Sequence, residues 1–178
     1  SNIEVYNDKF EHLVNLMRVL RDRDKNRELN RLCRYTLYAR KEKYYAWNML
    51  KSKLYKDDVE QAWAFFITMN QGFGGKYEGS WGYAITDSGD SVSKYNTRIN
   101  LFNEWLNRLI DVQIECKDVI DIIKIYDNLD AVTYCDPPYI AETRSSKNLY
   151  ENEMNDVQHE LFLDVCLKCK GAVVISGY

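Results

Sequence analysis

The amino-acid sequence predicts an α/β protein whose sheet-forming parts are separated by a mostly helical, basic segment. Two observations carry the α/β prediction. Short apolar runs alternate with helix-like segments from residue 112 onward, and strands that alternate with helices usually form a parallel sheet. A further apolar run at residues 3–6 predicts one more strand. The segment between these parts has helical periodicity, so we expect it to be inserted into the sheet domain.

Helices dominate the first part of the predicted structure. After the strand at residues 3–6, apolar side chains recur every three or four residues in four stretches, which is typical of amphipathic helices. These stretches are residues 10–20, 38–53, 57–69 and 100–110. Asp57 and Asp58 suit the start of the third helix, because acidic side chains stabilise a helix N-terminus. Residues 72–90 hold six of the eight glycines and are predicted to form loops.

The second part of the chain alternates strands and helices. Its predicted strands cover residues 112–115, 131–135 and 172–176, and its predicted helices cover residues 119–126 and 156–169. This alternation predicts a parallel sheet. In open sheets of this kind, ligands bind beyond the carboxyl ends of the strands.

Composition limits the class of protein. A chain of 178 residues with 46% hydrophobic and 29% charged residues can form one sizeable core. No apolar run approaches the roughly 18 residues that a membrane helix needs, so we expect no membrane partner. The five cysteines form no even framework, which favours a reducing cytosol. We expect Cys166 and Cys169 to be small core residues, and we expect no metal site.

Positive charge is concentrated in one part of the chain. The formal net charge is −3, yet residues 18–56 hold thirteen Lys and Arg against four Asp and Glu, which gives this segment +9 and the remainder −12. Such asymmetry is typical of proteins that bind nucleic acids. A basic helix face that is simply solvated gives the same pattern, so this observation alone leaves both interpretations open.

The most informative motif is Asp136-Pro137-Pro138-Tyr139, which directly follows the predicted strand at residues 131–135. Two prolines fix the backbone φ angle and remove two N–H donors, so they predict a stiff turn after the strand. An acid opens this turn and an aromatic ring closes it. A purely structural turn is the alternative, but open α/β sheets bind their ligands at this end of the strands.

A turn of this composition offers a specific chemistry. A carboxylate and a backbone carbonyl held close together can accept both hydrogens of one NH₂ group, and an aromatic ring can stack on a planar base. An exocyclic amine is a poor nucleophile because its lone pair is delocalised into the ring. Two acceptors favour a pyramidal nitrogen with a localised lone pair, and they stabilise the positive charge that develops when this nitrogen attacks a methyl group.

These residues resemble a known family. Asp136-Pro137-Pro138-Tyr139 is similar to motif IV of the Dam-like (D12 class) N6-adenine DNA methyltransferases, which use S-adenosylmethionine and have a Rossmann-like fold. Residues 4–22 are similar to the family's second strand and helix, and residues 173–178 to the strand after the motif IV helix. Residues 38–45 and 70–75 resemble segments of its target-recognition region. The resemblance spans most of the chain, and motif IV is its most specific part.

The resemblance implies a role for each motif residue. Asp136 and the Pro137 carbonyl would accept hydrogen bonds from N6 of the target adenine. Pro138 would stiffen the turn, and Tyr139 would stack on the base. Because an adenine must leave the duplex to reach such a turn, base flipping is implied.

The resemblance also implies a site for the cofactor S-adenosylmethionine. Asp8, at the end of the second strand, would bind its ribose hydroxyls, as an acid at that place in a doubly wound sheet pairs with a ribose diol. Asp118, eighteen residues before Asp136, would face the cofactor's adenine, and Asp136 would border the same site. A surface acid or a helix cap is the alternative for Asp8 and Asp118.

Double-stranded DNA is the implied partner. Arg34, Arg40 and Lys43 would contact phosphates, which gives salt-dependent affinity without sequence preference. Asn and Gln side chains can bond adenine in the major groove. The candidates for contacts with base edges are Asn70, Gln71 and Lys76.

The implied architecture is a Rossmann-like S-adenosylmethionine methyltransferase fold with an inserted, mostly helical DNA-recognition subdomain. Residues 1–24 and 111–178 would form parts of the catalytic domain, and residues 25–110 the insertion. The family's glycine-rich first motif has no counterpart upstream of Ile3, so we expect this chain to be a fragment of a longer enzyme. Gly72-Phe73-Gly74-Gly75 follows an apolar helix and not a strand, which favours a loop turn over that motif.

The implied function is site-specific methylation of adenine N6 in DNA. It would take place in a bacterial cytoplasm, by a chromosomal or phage-encoded enzyme that acts alone or beside a restriction nuclease. Two other classes stay open. One is a methyltransferase of the same fold that acts on RNA bases or on a protein glutamine amide. The other is a non-catalytic DNA-binding relative, in which replacing Asp136 with alanine would leave DNA affinity unchanged.

Overall fold

The computed structural model describes residues 3–85, 90–138 and 154–176 of the chain, and these residues have an α/β structure. They form eight helices: α1 (Glu11–Arg21), α2 (Arg23–Tyr35), α3 (Arg40–Ser52), α4 (Asp58–Asn70), α5 (Ser91–Asn100), α6 (Phe102–Leu109), α7 (Val119–Tyr126) and α8 (Asp156–Cys166). They also form four strands: β1 (Glu4–Asn7), β2 (Val112–Glu115), β3 (Val132–Cys135) and β4 (Ala172–Ile175). In these three ranges, no helix has the length and apolar character needed to cross a membrane.

The four strands belong to two short sheets. β1 pairs with β2, and β3 pairs with β4. β3 and β4 run parallel, with Val132 opposite Ala172 and Cys135 opposite Ile175. The parallel arrangement predicted from the alternation of strands and helices is confirmed for this pair, and α8 lies between the two strands in the chain.

Contacts divide the chain into two compact units. One comprises Ser1–Tyr6 and Glu11–Ile114, and we call it the helical unit. The other comprises Asn7–Phe10 and Glu115–Tyr178, and we call it the motif unit because it contains Asp136. The family resemblance divides the chain by function, into catalytic parts at residues 1–24 and 111–178 and an insertion at residues 25–110, and this division stays a prediction.

Helix α4 has a central place in the helical unit, where it contacts α1, α2 and α3. Its buried side chains include Phe65, Phe66 and Ile67. The ring of Phe66 meets that of Phe102 edge-on, with centroids 5.0 Å apart. As the acidic start predicts, the Asp57 side chain caps this helix by accepting a hydrogen bond from the Glu60 N–H.

The apolar spacing does not predict α2, because a polar residue takes part in its buried face. The three buried residues of this helix are Asn26, Leu29 and Cys33. The Asn26 amide donates to the carbonyl oxygens of Leu20 at 2.7 Å and Phe102 at 3.1 Å. These hydrogen bonds satisfy the buried amide, so it can replace an apolar side chain.

The core of the motif unit lies between α7, α8 and one face of the β3–β4 sheet. It consists of Ile123, Cys135, Phe162 and Cys166, with Cys169 packed against it. The prediction that Cys166 is a small core residue is confirmed. Burial raises the pKa of the Cys135 thiol to about 11, so this side chain is a neutral thiol at physiological pH.

A tight turn fixes the start of β4. The Asp127 carboxylate accepts hydrogen bonds from the backbone N–H groups of Lys170, at 2.8 Å, and Gly171, at 3.1 Å. A Cβ atom at Gly171 would lie 2.5 Å from the Ala131 carbonyl oxygen and 2.6 Å from that of Asn128. Only glycine therefore fits at this close approach of two chain segments.

Candidate functional site

The Asp136-Pro137-Pro138 turn begins directly after β3, at the carboxyl end of the parallel β3–β4 sheet. This is the location that the sequence predicts. The Asp136 side chain is exposed, and both prolines are half-buried. Tyr139, the predicted stacking residue, lies outside the described residues.

Ser176 holds the Asp136 carboxylate from the neighbouring strand. Its backbone N–H donates to the Cys135 carbonyl at 2.9 Å, which extends the β3–β4 pairing by one residue. Its hydroxyl donates to Asp136 Oδ1 at 2.5 Å. The second carboxylate oxygen, Oδ2, accepts no hydrogen bond from the described part of the chain. One oxygen of Asp136 is thus fixed while the other can accept from a ligand.

Asp8 and Asp118 lie beyond the ends of β1 and β2, which are neighbours in their sheet. Two hydrogen bonds join the chain segments that leave these strands. The Asn7 amide donates to the Lys117 carbonyl at 3.1 Å, and its oxygen accepts from the Lys117 N–H at 3.0 Å. The structure therefore brings together the two acids that the sequence assigns to the cofactor, and it places them in the motif unit with Asp136.

Both carboxylates also have local structural roles. Asp8 accepts a hydrogen bond from the Phe10 N–H at 2.8 Å. Asp118 caps α7, because its Oδ1 accepts from the Ile120 N–H at 3.1 Å, and its Oδ2 accepts from Lys9 Nζ at 3.1 Å. The hydrogen bond from Ile120 and then that from Lys9 lower the pKa of Asp118, which favours its anionic form.

Three of the residues predicted to contact DNA are exposed in the helical unit: Arg34, Arg40 and Lys76. Arg34 is held by two neutral amides, since its Nε donates to Asn30 Oδ1 and its Nη2 to Asn100 Oδ1, both at 2.7 Å. Because these partners carry no charge, the positive charge of Arg34 remains available to a phosphate.

Lys43 is not on the surface, contrary to the sequence-based expectation. It is only 1% exposed, and burial lowers the pKa of its ammonium group. The ammonium donates to the Gly79 carbonyl and lies 4.7 Å from the Tyr44 ring centroid and 5.6 Å from that of Trp47. These contacts compensate the buried charge and tie helix α3 to the loop that follows helix α4, so Lys43 is not available to contact a phosphate.

Gln71 is also buried, at 0% exposed, so its side chain is not available to contact a base edge. Its amide joins two loops, because it accepts from the Ala39 N–H and donates to the Leu37 carbonyl, both at 3.0 Å. Asn70 is half-buried, and both of its polar atoms are bonded. Its Oδ1 accepts from Arg98 at 2.6 Å, and its Nδ2 donates to the Phe66 carbonyl at 2.8 Å.

An acid-led Pro-Pro turn at the end of a parallel strand, with further acids beyond the ends of β1 and β2, has the features expected of an α/β methyltransferase. Residues 2–176 match the family model for D12 class N6 adenine-specific DNA methyltransferases, and the chain belongs to that family. The resemblance found in the sequence is thereby confirmed, and a Rossmann-like α/β fold agrees with the strands described here. No curated protein matches the chain.

Sequence reasoning missed two residues of this site, Ser176 and Lys9. A signal for Ser176 exists in the sequence, because parallel pairing of the predicted strands places the residue after β4 beside the residue after β3. Lys9 follows Asp8 directly, but its partner Asp118 is 109 positions away, so the local sequence around Lys9 does not predict that ion pair.

Proposed function

We propose that this chain transfers a methyl group from S-adenosylmethionine to N6 of an adenine flipped out of double-stranded DNA. The observation that carries the proposal is the Asp136-Pro137-Pro138 turn at the end of β3, with Asp136 oriented by Ser176. Membership of the adenine-specific DNA methyltransferase family supports it.

Asp136 and Pro137 are the acceptors for the target amine. Ser176 orients the carboxylate through Oδ1, so we assign Oδ2 of Asp136 as the acceptor from N6 and the Pro137 carbonyl as the acceptor of the second hydrogen. The two acceptors localise the nitrogen lone pair and stabilise the positive charge that grows on N6 as the N–C bond forms and the bond between the methyl carbon and the donor's sulfur breaks, which leaves a neutral thioether. The surplus proton on N6 then leaves through the exposed carboxylate to water.

Asp8 and Asp118 would hold the cofactor. S-adenosylmethionine supplies an electrophilic methyl group on a positively charged sulfur. Its ribose hydroxyls and the amine of its base are hydrogen-bond donors, and ionised carboxylates are acceptors only, so the two side chains fit this ligand. Asp118 keeps two lone pairs beyond its bonds to Ile120 and Lys9.

The helical unit would supply the DNA contacts. Arg34 and Lys76 are exposed cations in this unit, and phosphate contacts by such side chains give affinity that falls steeply with salt. We propose that residues 25–110 act as the inserted recognition subdomain, and that the enzyme works on DNA in a bacterial cytoplasm.

The test is methyl transfer from labelled S-adenosylmethionine to unmethylated DNA, with the product nucleoside identified by mass spectrometry. We expect N6-methyladenine with the wild-type chain and none with Asp136→Ala. Asp164→Ala is the matched control, since Asp164 is another exposed acid of the motif unit and lies on α8. This control should retain activity.

Other outcomes contradict the proposal in different ways. Label found in RNA or in protein in place of DNA would point to another acceptor for the same chemistry. DNA binding without transfer, equal for wild type and Asp136→Ala, would identify a non-catalytic relative. Equal transfer by wild type and Asp136→Ala would remove Asp136 from the reaction.

A further inference from the structure

The helical unit carries a partly exposed aromatic surface for which the proposed mechanism has no use. Its members are Trp81, Tyr83 and Arg40, and we call it the Trp81–Tyr83 platform. The two rings are nearly parallel, with centroids 5.4 Å apart and an interplanar angle of 16°. The Arg40 guanidinium carbon lies over both rings, 5.0 Å from the Trp81 centroid and 5.9 Å from the Tyr83 centroid.

Most of Tyr83 faces solvent, since the residue is 56% exposed. Exposure alone does not mark a site, since Tyr45 is 57% exposed; what distinguishes Tyr83 is the near-parallel ring of Trp81 beside it. Arg40 adds positive charge beside the ring. An exposed aromatic surface with an attached cation matches a ligand that has flat aromatic groups and negative charge, which describes a nucleic acid.

The backbone beneath the platform is firmly held. Trp81 and Gly72 form an antiparallel bridge, and the Gly82 N–H donates to the Gln71 carbonyl at 2.8 Å. The Tyr38 hydroxyl donates to the Gly82 carbonyl at 2.8 Å, and its ring lies 6.0 Å from that of Trp81. Trp81 and Tyr83 flank this anchored glycine, so their rings keep a fixed position and lose little freedom when a ligand binds.

We propose that the Trp81–Tyr83 platform stacks on a DNA base whose face is uncovered because the base is unpaired. This inference rests on the proposed function, which makes DNA the substrate. In an intact duplex, neighbouring base pairs cover both faces of every base. When an adenine leaves the duplex, the faces of the bases next to the vacated position become uncovered. Aromatic side chains stack on such base faces with little dependence on the identity of the base.

Arg40 has a changed role in this proposal. The sequence assigns it to a phosphate, whereas the structure sets its guanidinium over two rings. A guanidinium can stack on aromatic faces and still present its charge to a phosphate at its edge, which a lysine ammonium does less well. Arg40 therefore positions the platform and gives it affinity for the backbone next to the stacked base.

The experiment compares two duplexes of the same sequence by fluorescence anisotropy, without cofactor. One is fully paired, and the other carries a single unpaired thymine. Thymine is chosen because the site at Asp136 is proposed to bind adenine. The wild-type chain is compared with Tyr83→Ala, with Tyr83→Phe and with Tyr45→Ala. Tyr45 is a matched control on α3, 57% exposed and roughly 140° around the helix from Arg40.

We expect the wild-type chain to bind the duplex with the unpaired thymine more tightly than the paired one. Tyr83→Ala should lower affinity for the duplex with the unpaired base by roughly 5- to 150-fold and erase the preference. Tyr83→Phe, which keeps the ring, and Tyr45→Ala should behave as wild type. Thermal unfolding of each variant shows whether it is folded.

Two results would overturn the proposal: equal binding of both duplexes by the wild-type chain, or an undiminished preference in Tyr83→Ala. The second result would leave a protein partner as the ligand of this surface. Failure of the catalytic proposal gives a different result. If the chain prefers the unpaired base through Tyr83 but transfers no methyl group, the catalytic proposal is wrong and the platform proposal stands.

Discussion

Ser176→Ala tests whether the Ser176 hydroxyl positions the proposed catalytic acid Asp136. The substitution removes the hydroxyl that donates to Asp136 Oδ1 at 2.5 Å. The backbone hydrogen bond from residue 176 to the Cys135 carbonyl does not depend on the side chain and should remain. Ser176→Ala therefore leaves the strand pairing in place and frees the Asp136 side chain to rotate.

The size of the effect follows from the type of bond and its exposure. A hydrogen bond to a charged group contributes roughly 1.5–3 kcal/mol, and water can replace part of this at the exposed Asp136 carboxylate. We therefore expect a loss of about 1–2 kcal/mol in transition-state stabilisation, which corresponds to roughly a 5- to 30-fold fall in kcat. The KM values for DNA and cofactor should change little, because Ser176 is expected to contact neither.

Steady-state methyl transfer measures this effect, with Ser176→Thr as the control that keeps a hydroxyl at the same position. Wild-type kcat in Ser176→Ala would show that Ser176 does not position Asp136.

Three further predictions test the structural assignments. Asp118→Ala should lower the free energy of unfolding by about 1 kcal/mol, whereas Asp118→Asn keeps a capping side chain. The pKa of Asp118 is lower in the folded than in the unfolded state, so its charge stabilises the fold above the unfolded-state pKa. This stabilisation is lost as the pH falls through the folded-state pKa. The stability of Asp118→Asn, measured by denaturation in acid, should therefore depend less on pH than that of the wild type. Lys43→Met should leave the salt dependence of DNA affinity unchanged, whereas Arg34→Gln should reduce its slope by about one, and equal slopes for both would contradict their assignments. Gly171→Ala should lower the free energy of unfolding by roughly 1–3 kcal/mol in denaturant titrations, because its Cβ meets a carbonyl oxygen at 2.5 Å, and an unchanged midpoint would refute the close packing.

The sequence predicts those elements whose buried face is made of apolar residues. The bounds of β2 and α7 agree with the prediction, because apolar Val112 and Ile114 alternate with polar residues in β2 and six of the eight residues of α7 are apolar. Helix α5 was not predicted as a separate element, since only Tyr95 and Ile99 are buried among its many polar residues. Its start is fixed by Asp90, whose side chain accepts from the Ser93 N–H, and a single capping residue is a weak signal in a glycine-rich region.

The site is predictable where its chemistry is contiguous in the chain. Asp136 and the two prolines stand together, so their residue types and order are informative without a structure. Lys43 is the opposite case. Lysine is almost never fully buried, and although Tyr44 and Trp47 are its neighbours on α3, they do not by themselves predict its burial. The carbonyl that accepts from its ammonium belongs to Gly79, 36 positions away, and only the folded structure supplies that partner.

The parallel register of β3 and β4 has a consequence for the evolution of chain length. Exposed connections usually accept insertions and deletions, and several side chains of residues 167–171 are exposed. Here, one residue gained or lost would shift β4 by one step, and a one-step shift turns each side chain to the opposite face. A different side chain would then face Asp136, and the packed turn at Gly171 leaves little room to absorb the change. Natural variants of this connection should therefore differ in sequence but keep its length.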